Sequence, residues 1–216
     1  MAAVQQTPLF HRHEQSGANL VDHHGWRVPA YFTFAQQEAE RLTNSVALSD
    51  VSWMVKLDLK GYGMKTPPQL KDAREWYLGR EHYLATCLPA VEQAVLAQVR
   101  AFSAPQDLQL PPPVYVTDVT SVYAQFLLAG PQSQNVLRKL TSLNVTALAN
   151  LGCGQASVAH VPGIVLHDDL ADIPAYHLLV SREYGESVWD AILHAGHEFH
   201  LAPCGLKALE FVGGRV

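Results

Sequence analysis

The chain has 216 residues, 48% of them hydrophobic and 16% charged, which is enough apolar material for a sizeable core and predicts a folded globular protein. A formal net charge of −5 and a sequence pI near 6.1 exclude the basic footprint that nucleic-acid phosphates or anionic lipid would need, leaving small molecules and protein partners as the expected ligands. No apolar run reaches the roughly 20 residues that cross a bilayer, residues 1–6 lack the charged start and apolar core of a signal peptide, and a cytoplasmic location is the expectation.

In chain order, the first concentration of rings is Gly25-Trp26-Arg27-Val28-Pro29-Ala30-Tyr31-Phe32. Such a segment can stack a planar ring beside an arginine that pairs a carboxylate tail, or it can simply cover a core. Next comes an internal echo: Val46-Ala47-Leu48-Ser49-Asp50-Val51-Ser52, running to Gly61, reappears as Val114-Tyr115-Val116-Thr117-Asp118-Val119-Thr120, running to Gly130. Both copies are rich in β-branched and apolar residues with partial alternation, as at Val55, Leu57 and Leu59, and both read as strands. Residues 76–87 predict a hairpin, after which Pro89 opens a helix with Val91, Ala94, Val95, Gln98 and Val99 at helical spacing. Gly130-Pro131 introduces a helix with Val136, Leu137, Leu140 and Leu143 as its stripe, and Gly152 and Gly154 read as a tight turn before the next strand. Residues 176–180 form a strand that precedes a helix carrying Val188, Trp189, Ile192 and Leu193 on one face.

Two copies of sheet-plus-helix predict an α+β protein built by internal duplication, with helices packed on mainly antiparallel sheets and a pseudo-two-fold axis. Proline stretches at 67–68 and 111–113 mark joints, the second linking pseudo-repeat halves of about 40–110 and 111–200 within one compact unit spanning 1–216.

The chemistry that can be sought residue by residue is sparse. There is no Gly-x-Ser-x-Gly elbow and no Walker loop, and Gly152-Cys153-Gly154 lacks the long preceding strand and third glycine of a dinucleotide site. Cys87, Cys153 and Cys204 are odd in number and widely spaced, arguing against a disulfide framework and a structural zinc site. His194, His197, Glu198 and His200 have the wrong spacing for His-Glu-x-x-His and suit a solvated helix C-terminus; His23-His24 reads the same way, and no metal is expected. Asp168, Asp169 and Asp172 cluster between two apolar strands, where paired acids either handle a proton or line a solvated turn.

Thr7-Pro8-Leu9-Phe10, Gly17-Ala18-Asn19-Leu20-Val21-Asp22, Gly25-Trp26-Arg27-Val28-Pro29 and Tyr31 resemble the opening of the glycine-cleavage T-protein (aminomethyltransferase) family. Asn44 to Met54 is similar to that family's segment ending Asp-Val-Ser-His-Met, with Trp53 in the histidine's place. Asp118-Val119-Thr120, Leu128-Ala129-Gly130-Pro131, Ser142-Leu143-Asn144 and Ser181-Arg182 resemble the sarcosine oxidase gamma subunit of the same superfamily, and Pro203-Cys204-Gly205-Leu206 is shared with the T-protein.

The resemblance implies the folate-binding fold, a central cavity, and tetrahydrofolate accepting a one-carbon unit from an aminomethyl donor. Carried over residue by residue, Met54 lines the ligand, with Trp53, Tyr31 and Trp26 as its neighbours. Asp72 and Asp169 are the candidates for the family's catalytic aspartate, which has no clean counterpart. Asp172 stands nearest the ring-gripping glutamate, and the family's arginine becomes Leu209. The function so implied is a folate-binding or gamma-like accessory subunit inside an oxidase or one-carbon complex; the alternative is a compact aminomethyltransferase.

Overall fold

The computed structural model describes residues 4–62, 64, 67–103 and 114–214, so the proline joint read at 111–113 lies outside the described residues. The chain opens with β1 (Gln5–Gln6), α1 (Phe10–Gln15), β2 (Asn19–His23) and β3 (Trp26–Tyr31). The β2–β3 hairpin turns on His24 and Gly25, with φ of 48° and 83°. Two positive φ values in a two-residue loop match the right-handed twist of the strands, and glycine takes one of them at no steric cost. Then follow α2 (Ala35–Asn44), β4 (Ala47–Asp50), β5 (Val55–Lys60), β6 (Ala73–Gly79), β7 (His82–Cys87), α3 (Glu92–Ser103) and β8 (Tyr115–Asp118). The chain continues through β9 (Tyr123–Ala129), α4 (Ser133–Leu140), β10 (Cys153–Val158), β11 (Val161–His167), β12 (Ala175–Ser181), α5 (Gly185–Ala195), β13 (Ala202–Pro203) and α6 (Leu206–Phe211).

These elements pack as two units: residues 1–53 with 122–216, and residues 54–121. The first therefore draws on both ends of the chain and is bounded differently from the halves 40–110 and 111–200. Each echo copy nonetheless forms its strand, β4 in the first unit and β8 in the second.

In the first unit a three-stranded sheet, β1-β3-β2, accompanies a six-stranded sheet ordered β10-β11-β12-β9-β4-β13. Every pair from β10 to β4 is antiparallel; β13 joins β4 in parallel. Helices α4 and α5 lay Val136, Leu137, Val188, Trp189 and Ile192 into one core with Ala124, Phe126 and Leu128 of β9 and Tyr176, Leu178 and Val180 of β12. Alternation along a strand turns Gln125, Leu127, His177 and Leu179 to the opposite face, and these four are buried as well. The predicted helix stripes thus pack as read, except that Leu143 lies beyond the end of α4 and is only partly buried against the core.

In the second unit the four-stranded antiparallel sheet runs β6-β7-β5-β8. Val55, Leu57, Leu59, Tyr83, Ala85 and Cys87 meet Val95 and Val99 of α3, which is the hairpin-then-helix predicted from 76–99. The opposite face carries Lys56, Leu84, Thr86 and Trp76, all buried.

The three cysteines are free thiols. Burial pushes the Cys87 thiol up to about 11, with Glu92 adding to the shift. Cys204 goes higher still, through burial first and then the neighbouring Glu38 carboxylate. Since the thiolate is the reactive form, a thiol-specific reagent at pH 8 is expected to leave Cys87 and Cys204 untouched in the native protein and to modify both once denaturant is added. Fast native modification of either, read by peptide mass, would contradict the packing described.

Candidate functional site

Aspartate at a strand end followed two residues later by a hydroxyl is a local trap for backbone amides. Asp50 Oδ1 accepts the Ser52 amide at 3.0 Å and the Ser52 hydroxyl at 2.6 Å; Asp118 Oδ1 accepts the Thr120 amide at 2.8 Å. The hydroxyl oxygen of each copy then receives a strand amide, Ser52 Oγ from Gln125 N and Thr120 Oγ1 from Lys56 N, both at 3.0 Å. Val51 N and Val119 N complete the pattern by donating to the Gln125 and Lys56 carbonyls, both at 2.9 Å. The repeated Asp-Val-Ser/Thr therefore builds the same three-bond stitch in each unit, to which the Ser52 hydroxyl adds a fourth bond in the first, and each stitch holds one long polar residue within its strand.

Those two residues are the sharpest exceptions to the apolar pattern of their strands. Gln125 and Lys56 are both 0% exposed, each on the sheet face opposite the packed helices. Gln125 Nε2 lies 3.0 Å from His177 Nδ1. Lys56 Nζ donates to the Met54 carbonyl at 2.6 Å, and its strand row continues through Thr86 to Arg74, with Trp76 Nε1 donating to Thr86 Oγ1 at 2.9 Å. Burying a polar group costs free energy unless it is bonded. Polar pairs in mid-strand are thus the places where packing has been traded for directional chemistry. The sequence signal was present, a lone polar residue inside Ala124-Gln125-Phe126, Tyr176-His177-Leu178 and Val55-Lys56-Leu57, but alternation alone cannot tell such a residue from one facing water.

Asp50 also reaches into the first core. Its Oδ2 lies 2.9 Å from His13 Nε2, both side chains being buried, and the His13 ring is held edge-on by Phe32 and Trp189 at 5.4 Å each. Burial by itself would raise the Asp50 carboxyl, but the His13 hydrogen bond and charge, with the Ser52 bond after them, outweigh it and hold the group below the usual carboxylate value. Thr7 contributes in the same direction, although its hydroxyl makes no hydrogen bond of normal geometry. With serine and histidine both turned to the aspartate, the trio has no nucleophile–base contact and is a structural clasp.

Of the residues read from the sequence as ligand-contacting, Trp26 and Trp53 come together around one histidine. His23 pairs with Trp26 across the hairpin, and its ring meets Trp53 edge-on at 4.6 Å. Both tryptophans are nearly enclosed, at 7% and 1% exposure. Tyr31 lies beyond a register shift in the β2–β3 pairing, where Leu20 pairs with Pro29 and Asn19 with Tyr31; it is half-buried, with the Lys207 ammonium 5.8 Å from its ring centroid. Met54, also half-buried, opens the second unit.

The acids fall elsewhere. Asp72 is an exposed turn residue with φ of 65°, and Asp172 is exposed in the β11–β12 connection. Asp169 is committed to its own turn: Oδ1 takes His167 Nε2 at 2.8 Å and the Ala175 amide at 3.3 Å. Glu198 pairs with Lys139.

Comparison with known proteins places the family and the fold. The profile of the GCVT N-terminal domain matches residues 70–212. An aminomethyltransferase of Acidobacterium capsulatum is 28% identical over 236 residues, covering 96% of this chain and 61% of that protein. One from Geobacillus kaustophilus is 27% identical over 226 residues, covering 95% and 62%. The chain thus spans about three-fifths of the length of these relatives. Among solved structures, glycine cleavage system aminomethyltransferase T from Bartonella henselae superimposes with a TM-score of 0.72 at 17% identity, over 97% of this chain and 62% of that one. A chain of heterotetrameric sarcosine oxidase from Corynebacterium sp. U-96, in complex with pyrrole 2-carboxylate, gives 0.62 at 16% identity, over 91% and 96%. The fold is the one the sequence resemblance implied.

Removing the Asp50 carboxylate leaves the buried His13 and Ser52 groups without their partner, so Asp50→Ala is expected to destabilise the protein by about 1–3 kcal/mol in urea unfolding; a loss within experimental error would sink the clasp. A second expectation concerns His23, whose ring is pushed below the ordinary histidine value by burial and then by His24, against a smaller pull from Glu210. The unfolded chain therefore takes up that proton first, and the stability associated with neutral His23 is present above about pH 6.5 and lost as pH falls. The melting temperature of His23→Gln should accordingly fall less than that of the parent between pH 7.5 and 5.5.

Proposed function

Because the chain belongs to the GCVT N-terminal domain family, we propose that it is a T-protein-like one-carbon module that binds tetrahydrofolate and serves as an accessory subunit rather than as the transferase. The observation that carries this reading is the state of the carboxylates. Among the described residues the buried acids are Asp50 and Glu38. Asp50 is taken by His13 and Ser52, and Glu38 by the amides of Phe32, Thr33 and Gly205. The two candidates for a catalytic aspartate are turn residues, one exposed and one bonded into its own loop. A general acid or base must reach the proton it moves; the buried acids and Asp169 are spent on the fold, and Asp72 stands in solvent.

Each unit, taken by itself, carries groups that suit the ligand. In the first, half-buried Tyr31 offers apolar surface and Gln125 with His177 hydrogen-bonding groups; in the second, half-buried Met54 and Lys56 with Thr86 offer the same mixture, which is typical of small-molecule sites. When bound, tetrahydrofolate supplies the nitrogens that take up a one-carbon unit; the chain's own part is to hold and orient it. Trp26 and Trp53 are nearly enclosed and pack the β2–β3 hairpin at His23. The accessory part of the reading draws on the heterotetrameric oxidase, one chain of which is covered over 96% of its length. The curated relatives named aminomethyltransferase, aligned over 95–96% of this chain, favour the transferase as the second reading.

Calorimetric titration with tetrahydrofolate and its 5-formyl analogue tests the proposal. Micromolar binding is expected, weakened about tenfold by Tyr31→Ala or Met54→Ala, with Asp172→Ala unchanged. Absence of binding at millimolar ligand would remove the folate reading and leave partner capture by co-purification as the next step. Aminomethyl transfer abolished by Asp169→Asn or Asp72→Asn would establish the transferase instead.

A further inference from the structure

The carboxylate of Glu38 is 0% exposed and saturated from two distant segments. Oε1 accepts the Phe32 amide at 2.7 Å, the Thr33 amide at 2.6 Å and the Thr33 hydroxyl at 3.2 Å; Oε2 accepts the Gly205 amide at 2.9 Å. Its negative charge is felt at Cys204, whose thiol it helps to push up after burial. Taking a carboxylate out of water costs several kcal/mol even after relaxation, a cost these bonds offset only while the end of β3 and the start of α6 are held together. The approach is close enough to demand glycine: a Cβ on Gly205 would lie 2.4 Å from the Ala30 carbonyl carbon and oxygen.

Two residues with ligand chemistry flank this clamp at the surface. Tyr31 immediately precedes Phe32, and Lys207 follows Gly205 by two positions, exposed, with its ammonium 5.8 Å from the Tyr31 ring centroid. Among the described residues Lys207 is in no ion pair of the kind that occupies Arg27, which is bonded to Asp22 at 2.9 Å.

We propose that Tyr31 and Lys207 form a recognition site for an aromatic carboxylate, with Glu38 as the positioning residue that keeps cation and phenol in register. The ammonium and the phenolic hydroxyl are both donors to an anionic oxygen, and the ring offers apolar surface to an aromatic body. Building on the tetrahydrofolate reading, this assigns the acidic benzoyl-glutamate end of the ligand to the first unit.

The test uses the full chain and two probes, tetrahydrofolate and 4-aminobenzoyl-glutamate, with amide NMR shifts of Gly205 and Lys207 as the local readout and calorimetry for affinity. The fragment is expected to shift both amides, and Lys207→Met to weaken it and tetrahydrofolate alike by about fivefold to tenfold. Glu38→Gln should weaken both as well, with little further loss in the double variant, because Glu38 acts through Lys207 and Tyr31. Lys207 is exposed, so Lys207→Met remains informative even where Glu38→Gln fails to fold. Tetrahydrofolate binding that ignores Lys207→Met overturns this site while the proposed function stands. Fragment binding lost in Lys207→Met, with no tetrahydrofolate binding, supports the site and overturns the folate reading. No shift with either probe overturns both.

Discussion

In each unit an aspartate at the end of a strand accepts the amide two residues on, and the hydroxyl of that next residue receives an amide from a buried strand. Everything near the polar faces depends on this stitch. It settles where β4 and β8 stop, it locks Val51 and Val119 to the carbonyls of Gln125 and Lys56, and it leaves those two long side chains buried in mid-strand. The aspartate-to-amide bond of this stitch forms over two residues, so it costs little ordering entropy.

The two faces of each sheet then serve different ends. One is covered by helices, α4 and α5 in the first unit and α3 in the second, and carries the apolar volume that stabilises the unit. The other is equally buried but admits glutamine, histidine, lysine and threonine. A buried polar pair such as Gln125 and His177 contributes little net stability once desolvation is counted, yet it is directional in a way that packed leucines are not. That asymmetry, rather than any single residue, distinguishes within each unit a polar face from the helix-covered face that serves as scaffold.

The buried carboxylates belong to the scaffold too. Asp50 joins α1 to β4 through His13, and Glu38 joins β3 to the segment before α6 across 167 positions of sequence. Acids so fully bonded are poor proton carriers, because any proton gained must displace several hydrogen bonds. The protein has kept the architecture of its family while its two buried described carboxylates hold backbone amides, a serine and a histidine.

Sequence by itself determined the element types, the echo and the family, because periods of two and of about 3.6 residues, turn residues and an Asp-x-Ser/Thr trap are written along the chain. The family resemblance named Met54, Trp53 and Tyr31, and the ring-rich segment named Trp26, but not which of them is open: Trp26 is nearly enclosed, while Tyr31, five residues along the same strand, is half-buried. Only the tertiary structure decided that Asp169 bonds back into its own turn, that Glu38 clamps Gly205, that Gln125 and Lys56 are buried and that both chain ends share one unit. Those outcomes depend on which distant segment covers a side chain, and neither periodicity nor local propensity carries that information.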